Sequence, residues 1–129
     1  VGKEMNLTMT PDGPRGPRRV LAPGCIYLAS RLQIPLVCLG FGYKSCWRLE
    51  KAWDRFAIPK PFTQARMMIG RRIHIPKDLD RDGIIYYQQL VQDCLEQKTK
   101  CAEHWARTGA IIEGQQVLLP EPGSYRRAA

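Results

Sequence analysis

Ten consecutive residues, Thr10-Pro11-Asp12-Gly13-Pro14-Arg15-Gly16-Pro17-Arg18-Arg19, concentrate the chemistry of this chain. Arg15 can offer a planar fork to a phosphate through two charge-assisted hydrogen bonds. Gly13 and Gly16 allow backbone N–H groups to approach an anion closely or to form a nest. The prolines make such a loop rigid, so less entropy is lost when a ligand binds. Asp12 is suited to brace Arg15 or to cap a backbone donor, and Arg18 and Arg19 add cations. Composition alone leaves a second account open, a basic surface turn whose Asp-Gly and prolines serve geometry only.

Other groups with reactive chemistry are few. Cys101 and His104 lie three apart on a predicted helix, but two ligands do not make a zinc site, and no metal is expected. The five cysteines, Cys25, Cys38, Cys46, Cys94 and Cys101, are odd in number and form no C-x-x-C pair. Buried free thiols in a reducing cytoplasm account for them.

The elements that must position the loop follow from periodicity. Over residues 3–9, Met5, Leu7 and Met9 alternate with Glu4, Asn6 and Thr8, the period of a half-buried strand. The loop is therefore expected at the carboxyl end of a strand, where open α/β sheets place ligand sites. Pro23 to Gln33 reads as a short helix with proline in its first turn. Pro35 to Gly42 is a continuous apolar run, expected as a central parallel strand buried on both faces. Strand, loop, helix and strand make a right-handed crossover. The expected fold class is thus α/β, a mixed, largely parallel sheet flanked by helices, with a long C-terminal helix.

Further along, Trp47, Trp53, Phe56 and Phe62 lie among Lys44, Arg48, Lys51, Arg55 and Lys60. Pro59 and Pro61 exclude a long helix there. The run is expected as a loop pinned to the core by its aromatics, or else as an aromatic-and-basic surface that meets a membrane interface. Residues 65–76 read as two strand pieces with a bulge or bend at Gly70. A helix is expected from about Gly83 to Arg107, its apolar stripe running through Ile84, Tyr87, Val91, Cys94 or Leu95, Ala102 and Trp105, with Gly109 as its stop. The tail ending Tyr125-Arg126-Arg127-Ala128-Ala129 is expected to fray.

The 129 residues amount to one domain, with 44% hydrophobic and 25% charged residues. No apolar run approaches the roughly 20 residues of a membrane-spanning helix. The N-terminus reads as strand, so no signal peptide is expected. The chain begins with Val, consistent with a processed product, a trimmed chain or part of a longer one. A formal net charge of +8 favours anionic partners such as phosphate-bearing metabolites, lipid headgroups or nucleic acid.

The loop and the apolar run together resemble the phospholipid acyltransferase superfamily, in particular its bacterial lysophospholipid acyltransferase-like branch of unknown function. There a Pro-Glu-Gly-Thr-Arg-Ser loop holds the acceptor's phosphate, and Pro11, Asp12, Gly13 and Arg15 fall on its Pro, Glu, Gly and Arg. Ile34, Pro35, Leu36 and Val37 fall on the start of a second motif, an Ile-Pro-Ile-Val-Pro-Val strand. Trp47-Arg48-Leu49, Trp53-Asp54-Arg55-Phe56 and Ile58-Pro59-Lys60-Pro61-Phe62 are also similar to that branch. The likeness covers residues 3–76, and residues 77–129 add the C-terminal helix and tail to a single, partial domain.

The resemblance implies the acceptor-binding part of a glycerolipid- or lysophospholipid-type acyltransferase. Such a protein moves an acyl chain from acyl-CoA or an acyl carrier protein thioester to a lipid hydroxyl, with no other cofactor. Asp12, Gly13, Arg15, Arg18 and Arg19 would bind an anionic lipid or phosphorylated acceptor, at the inner, cytoplasmic face of a membrane. Two departures qualify this. Family enzymes use a His-x-x-x-x-Asp motif as general base, but five residues after His74 is Leu79 and five after His104 is Gly109. No catalytic residue is therefore assigned, and an upstream segment of a longer chain is expected to supply one. Pro14 and Gly16 stand where the family has Thr and Ser, so two hydroxyl donors are missing, with Arg18 and Arg19 able to compensate. The alternative is a non-catalytic anion- or lipid-binding remnant. Nucleic-acid binding is disfavoured, since no recognised motif accompanies the charge.

Overall fold

The computed structural model describes residues 6–13 and 15–111. In chain order the elements are α1 (Gly24–Leu32), β1 (Leu36–Tyr43), β2 (Cys46–Arg48), β3 (Ala57–Pro59), β4 (Ala65–Ile73) and α2 (Arg81–Thr108). The strands form two antiparallel pairs, β1 with β4 and β2 with β3. They amount to one long bent hairpin: β1 continues into β2, the chain turns at residues 49–56, and β3 leads back into β4. Bonds from Lys44 N to Gln64 O (2.9 Å) and from Lys60 N to Ser45 O (3.2 Å) bridge the two pairs.

Helix α2 is the backbone of the domain. Its 28 residues span about 42 Å. Asp80 caps its start by accepting from Gly83 N at 2.8 Å, and Gly109, at φ 72°, closes its end by donating to Trp105 O. Ile84, Val91, Cys101, Ala102 and Ala106 are buried along one side, close to the predicted stripe. That side lies across β1 and β4.

The contact is unusually close because the inward positions of β1 are small: Cys38, Gly40 and Gly42 are buried. A Cβ on Gly40 would fall on the Lys98 carbonyl group and 2.5 Å from Thr99 N, and one on Gly42 would meet the backbone of Ala102. Strand backbone rests almost directly on helix backbone, which only glycine permits. A first core cluster joins Leu21, Ile26, Ala29, Cys38, Ile75, Ile84 and Val91; a second joins Met68, Cys101 and Ala102 beneath Trp105. Short α1 is tied to the chain after β4, with Ser30 Oγ donating to Pro76 O at 2.6 Å and Gln33 Nε2 to Ile75 O at 3.1 Å.

The α/β expectation of a largely parallel sheet is overturned. Residues 6–10 form no strand, and residues 3–5 of the expected first strand lie outside the described residues. Among the described residues there is accordingly no strand–helix–strand crossover around α1. β1 is not buried on both faces: Val37, Leu39 and Phe41 are 44%, 37% and 50% exposed and point away from α2, as do Met67 and Ile69 of β4. The apolar run misled because glycine and cysteine count as apolar, which hides a strict alternation of small inward and large outward residues. Residues 43–62 misled as well, since they carry a second strand pair that sends the chain straight back and makes β1 and β4 antiparallel neighbours. At Gly70 the ladder does shift register, Gly70 and Arg71 together facing Cys38 between the pairs Val37↔Arg72 and Leu39↔Ile69. The expected fraying of the tail concerns residues outside those described.

Candidate functional site

The loop of residues 10–19 is folded back on itself and tied at both ends. Pro11 O accepts from Ala22 N at 2.8 Å, and Val20 N donates to Pro17 O at 3.2 Å. Asp12 caps a backbone donor rather than bracing Arg15: its Oδ2 accepts from Arg19 N at 3.3 Å. The Gly13 N–H closes a turn onto Thr10 O at 3.4 Å. Gly13 and Gly16 both sit at positive φ, 67° and 69°. At Gly16 a Cβ would lie 2.5 Å from the ring of Trp53, so the tip of the hairpin packs on the loop at a point where a side chain cannot fit.

Helix α2 holds the far end of this loop with two glutamines. Gln92 Oε1 accepts from Leu21 N, and its Nε2 donates to Arg19 O, both at 2.6 Å. One turn earlier, Gln88 Nε2 donates to Leu21 O at 2.6 Å. Leu21 is buried, so its N–H and C=O need partners, and an i, i+4 pair of amides supplies them as a neighbouring strand would. The clasp fixes Arg19, whose backbone is left-handed at φ 59°, against the helix.

From there the Arg19 side chain reaches Glu103 of α2, Nη2 to Oε1 at 2.8 Å; Arg48 Nη2 of β2 lies 3.8 Å from the same oxygen. These residues form one wall of a cleft of about 490 Å³ that is also lined by Phe41, Lys44, Cys46, Lys60 and Arg107. Five cations, Arg19, Lys44, Arg48, Lys60 and Arg107, line the cleft together with one carboxylate, Glu103, which Arg19 and Arg48 approach directly. Arg18 stands beside them. Partial desolvation and the neighbouring charges of Arg19, Arg48 and Arg55 lower its pKa, opposed by Glu103. The Arg18 guanidinium thus sits partly desolvated among like charges, with Glu103 the carboxylate that opposes them.

The structure thus separates the five loop residues singled out in the sequence. Arg19 lines the cleft, Arg18 borders it, and Asp12 and Gly13 shape the loop. Arg15 is exposed and makes no ion pair among the described residues. Lys44, Arg48, Lys60, Glu103 and Arg107 were not singled out as site residues. Two signals were available: the period-2 spacing of Lys44, Cys46 and Arg48 places them on one strand face, and Glu103 and Arg107 are one helical turn apart. His74 is exposed just past β4, His104 lies on α2, and neither lines the cleft. The buried thiols belong to the core. Burial and the adjacent Cys94 thiol push Cys38 up to about 12, and burial raises Cys25. Among the described residues no three His, Cys, Asp or Glu gather to hold a metal, and no helix is long and apolar enough to cross a membrane.

No family model matches the chain, and no solved structure matches it. The chain is similar to uncharacterized protein RP090 of Rickettsia prowazekii (strain Madrid E), with 31% identity over 85 residues, covering 66% of this chain and 38% of that protein. It therefore spans well under half the length of the curated relative it matches.

Proposed function

We propose that this chain is the acceptor-binding portion of a glycerolipid- or lysophospholipid-type acyltransferase and that it works peripherally at the cytoplasmic face of a membrane. The observation that carries the proposal is the delivery of Arg19, by a loop clasped to α2, to a cleft lined by five cations and one carboxylate, with Arg18 next to it in the chain. A phosphate monoester in that cleft gains charge-assisted hydrogen bonds from guanidinium groups already held in place. In the reaction the acceptor hydroxyl attacks the thioester carbonyl carbon, a C–O bond replaces the C–S bond, and the hydroxyl proton passes through a base to the departing thiolate. Since neither histidine lines the cleft, that base belongs to another part of a longer protein. The same fact supports a second reading, a non-catalytic anion- or lipid-binding remnant.

Calorimetric titration with glycerol 3-phosphate and with lysophosphatidate tests the anion site directly. Binding that falls at least tenfold in Arg18→Ala/Arg19→Ala supports it, and unchanged binding in that variant overturns it. A thioester-release assay addresses the missing base: the 129-residue chain is expected to release no thiol. Release from this chain alone would refute both the assignment of the base to another segment and the remnant reading.

A further inference from the structure

We propose that the hairpin arm of residues 44–63 is a membrane-docking element whose outward aromatic face beds in the headgroup region of an anionic bilayer. This goes further than the function proposed above, on whose membrane-surface part it rests, because it assigns the contact to particular side chains.

The geometry is that of a two-faced ribbon. In β2 and β3 the register sets Trp47 opposite Ile58 and Arg48 opposite Ala57. The Leu49 N–H donates to Phe56 O at 3.1 Å, extending the ladder by one pair. Alternation then places Trp47, Leu49, Phe56 and Ile58 on one face, while Lys44, Cys46, Arg48 and Ala57 turn to the cationic cleft on the other. The outward four are all exposed, Trp47 at 52% and Phe56 at 58%. Phe62, in the irregular stretch between β3 and β4, is fully exposed. The outer face of β1 and β4 is also apolar and open, with Val37, Leu39, Phe41, Met67 and Ile69 exposed, but the arm is where exposed aromatics and cations coincide, and such a surface marks a site of interaction.

The charge around the face says what it meets. Residues 44–63 carry Lys44, Arg48, Lys51, Arg55 and Lys60 against Glu50 and Asp54. The two carboxylates are already engaged within the arm, Glu50 with Arg55 at 3.4 Å and Asp54 with the Phe56 N–H at 3.2 Å. Lys60 places its ammonium 5.9 Å from the centroid of the Trp47 ring. An indole ring with an ammonium over it suits the layer where acyl chains give way to phosphates, and the excess of cations favours an anionic leaflet. An aromatic face alone would suit an apolar protein partner equally well. The basic surround favours lipid. With the aromatic side bedded, the cleft opens from the opposite face of the same two strands, a sheet's thickness away from the headgroups that would supply its ligand.

The test uses the 129-residue chain with vesicles of phosphatidylcholine alone or mixed with phosphatidylglycerol. Co-sedimentation, tryptophan emission and quenching by nitroxide-labelled lipid are recorded for the parent chain, Trp47→Ser/Phe56→Ser and Arg18→Ala/Arg19→Ala. The parent chain is expected to bind the anionic vesicles, with blue-shifted and lipid-quenched emission, and to bind phosphatidylcholine at least tenfold less. Trp47→Ser/Phe56→Ser is expected to lose vesicle binding by at least tenfold while keeping its circular dichroism and its affinity for glycerol 3-phosphate. Arg18→Ala/Arg19→Ala is expected to do the reverse, so failure of the docking face and failure of the anion site are told apart. Vesicle binding that is absent, or indifferent to Trp47→Ser/Phe56→Ser, overturns the proposal. So does a dimer in sedimentation velocity that this double variant dissociates, since the face would then be covered by a second copy.

Discussion

Truncating Gln92 to alanine removes the clasp that fastens the cationic loop to α2, and its cost can be worked from the contacts. The change leaves the Leu21 N–H, on a residue only 3% exposed, without the carbonyl oxygen that accepts from it at 2.6 Å. An orphaned buried donor costs about 1–3 kcal/mol, and the lost bond to the Arg19 carbonyl, which is exposed, adds about 0.5 kcal/mol. A total near 2 kcal/mol, at a urea slope of about 1.5 kcal/mol/M, lowers the unfolding midpoint by about 1.3 M. Gln89→Ala is the control, because Gln89 only pairs with Asp93 on the exposed side of the helix and its loss should cost under about 0.5 kcal/mol. Urea unfolding of the three proteins followed by circular dichroism gives the stability, and calorimetric titration with glycerol 3-phosphate gives the consequence for the site. Because Gln92 also holds the Arg19 carbonyl, affinity should fall along with stability. Midpoints for Gln92→Ala and Gln89→Ala that coincide, with unchanged anion affinity, would refute the idea that α2 positions this loop.

Three further outcomes are expected. Gly40→Ala should destabilise the chain by about 3 kcal/mol or more, since the new methyl group must push helix backbone aside, whereas Gly24→Ala, with nothing within 4 Å, should be neutral or mildly stabilising; thermal melts compare them. Glu103→Gln should tighten phosphate binding, because the anion no longer competes with a carboxylate for Arg19 and Arg48, at a stability cost below about 1 kcal/mol for a partly exposed pair; titration calorimetry and urea midpoints decide both. Stability should fall as pH rises above about 9, since the folded chain keeps the Cys38 thiol protonated up to about 12 while the unfolded chain ionises it near the ordinary value. That contribution is complete below the unfolded value and is lost as pH climbs through the folded one, so midpoints at pH 7 and pH 10 should differ less in Cys38→Ala than in the parent.

The sequence by itself determined the elements whose signals are local. The stripe from Ile84 to Trp105 and the Gly109 stop predict α2 to within about two residues, because a helix is specified by its own spacing and its own ends. The concentration of arginine in residues 10–19 and the bulge at Gly70 are legible for the same reason. The tertiary structure decided everything that depends on partners. Whether Cys38, Gly40 and Gly42 are the empty side of a strand or the seat of a helix is invisible until α2 lies on them, and that contact makes β1 one-sided, while the return through β2 and β3 makes it antiparallel to β4. The site followed the same rule. Loop composition marked out Arg18 and Arg19, but Arg48, Lys60, Glu103 and Arg107 join them only because the hairpin folds back over the end of α2. Charge is written residue by residue, whereas a cleft exists only where distant residues are brought within a few ångströms of one another.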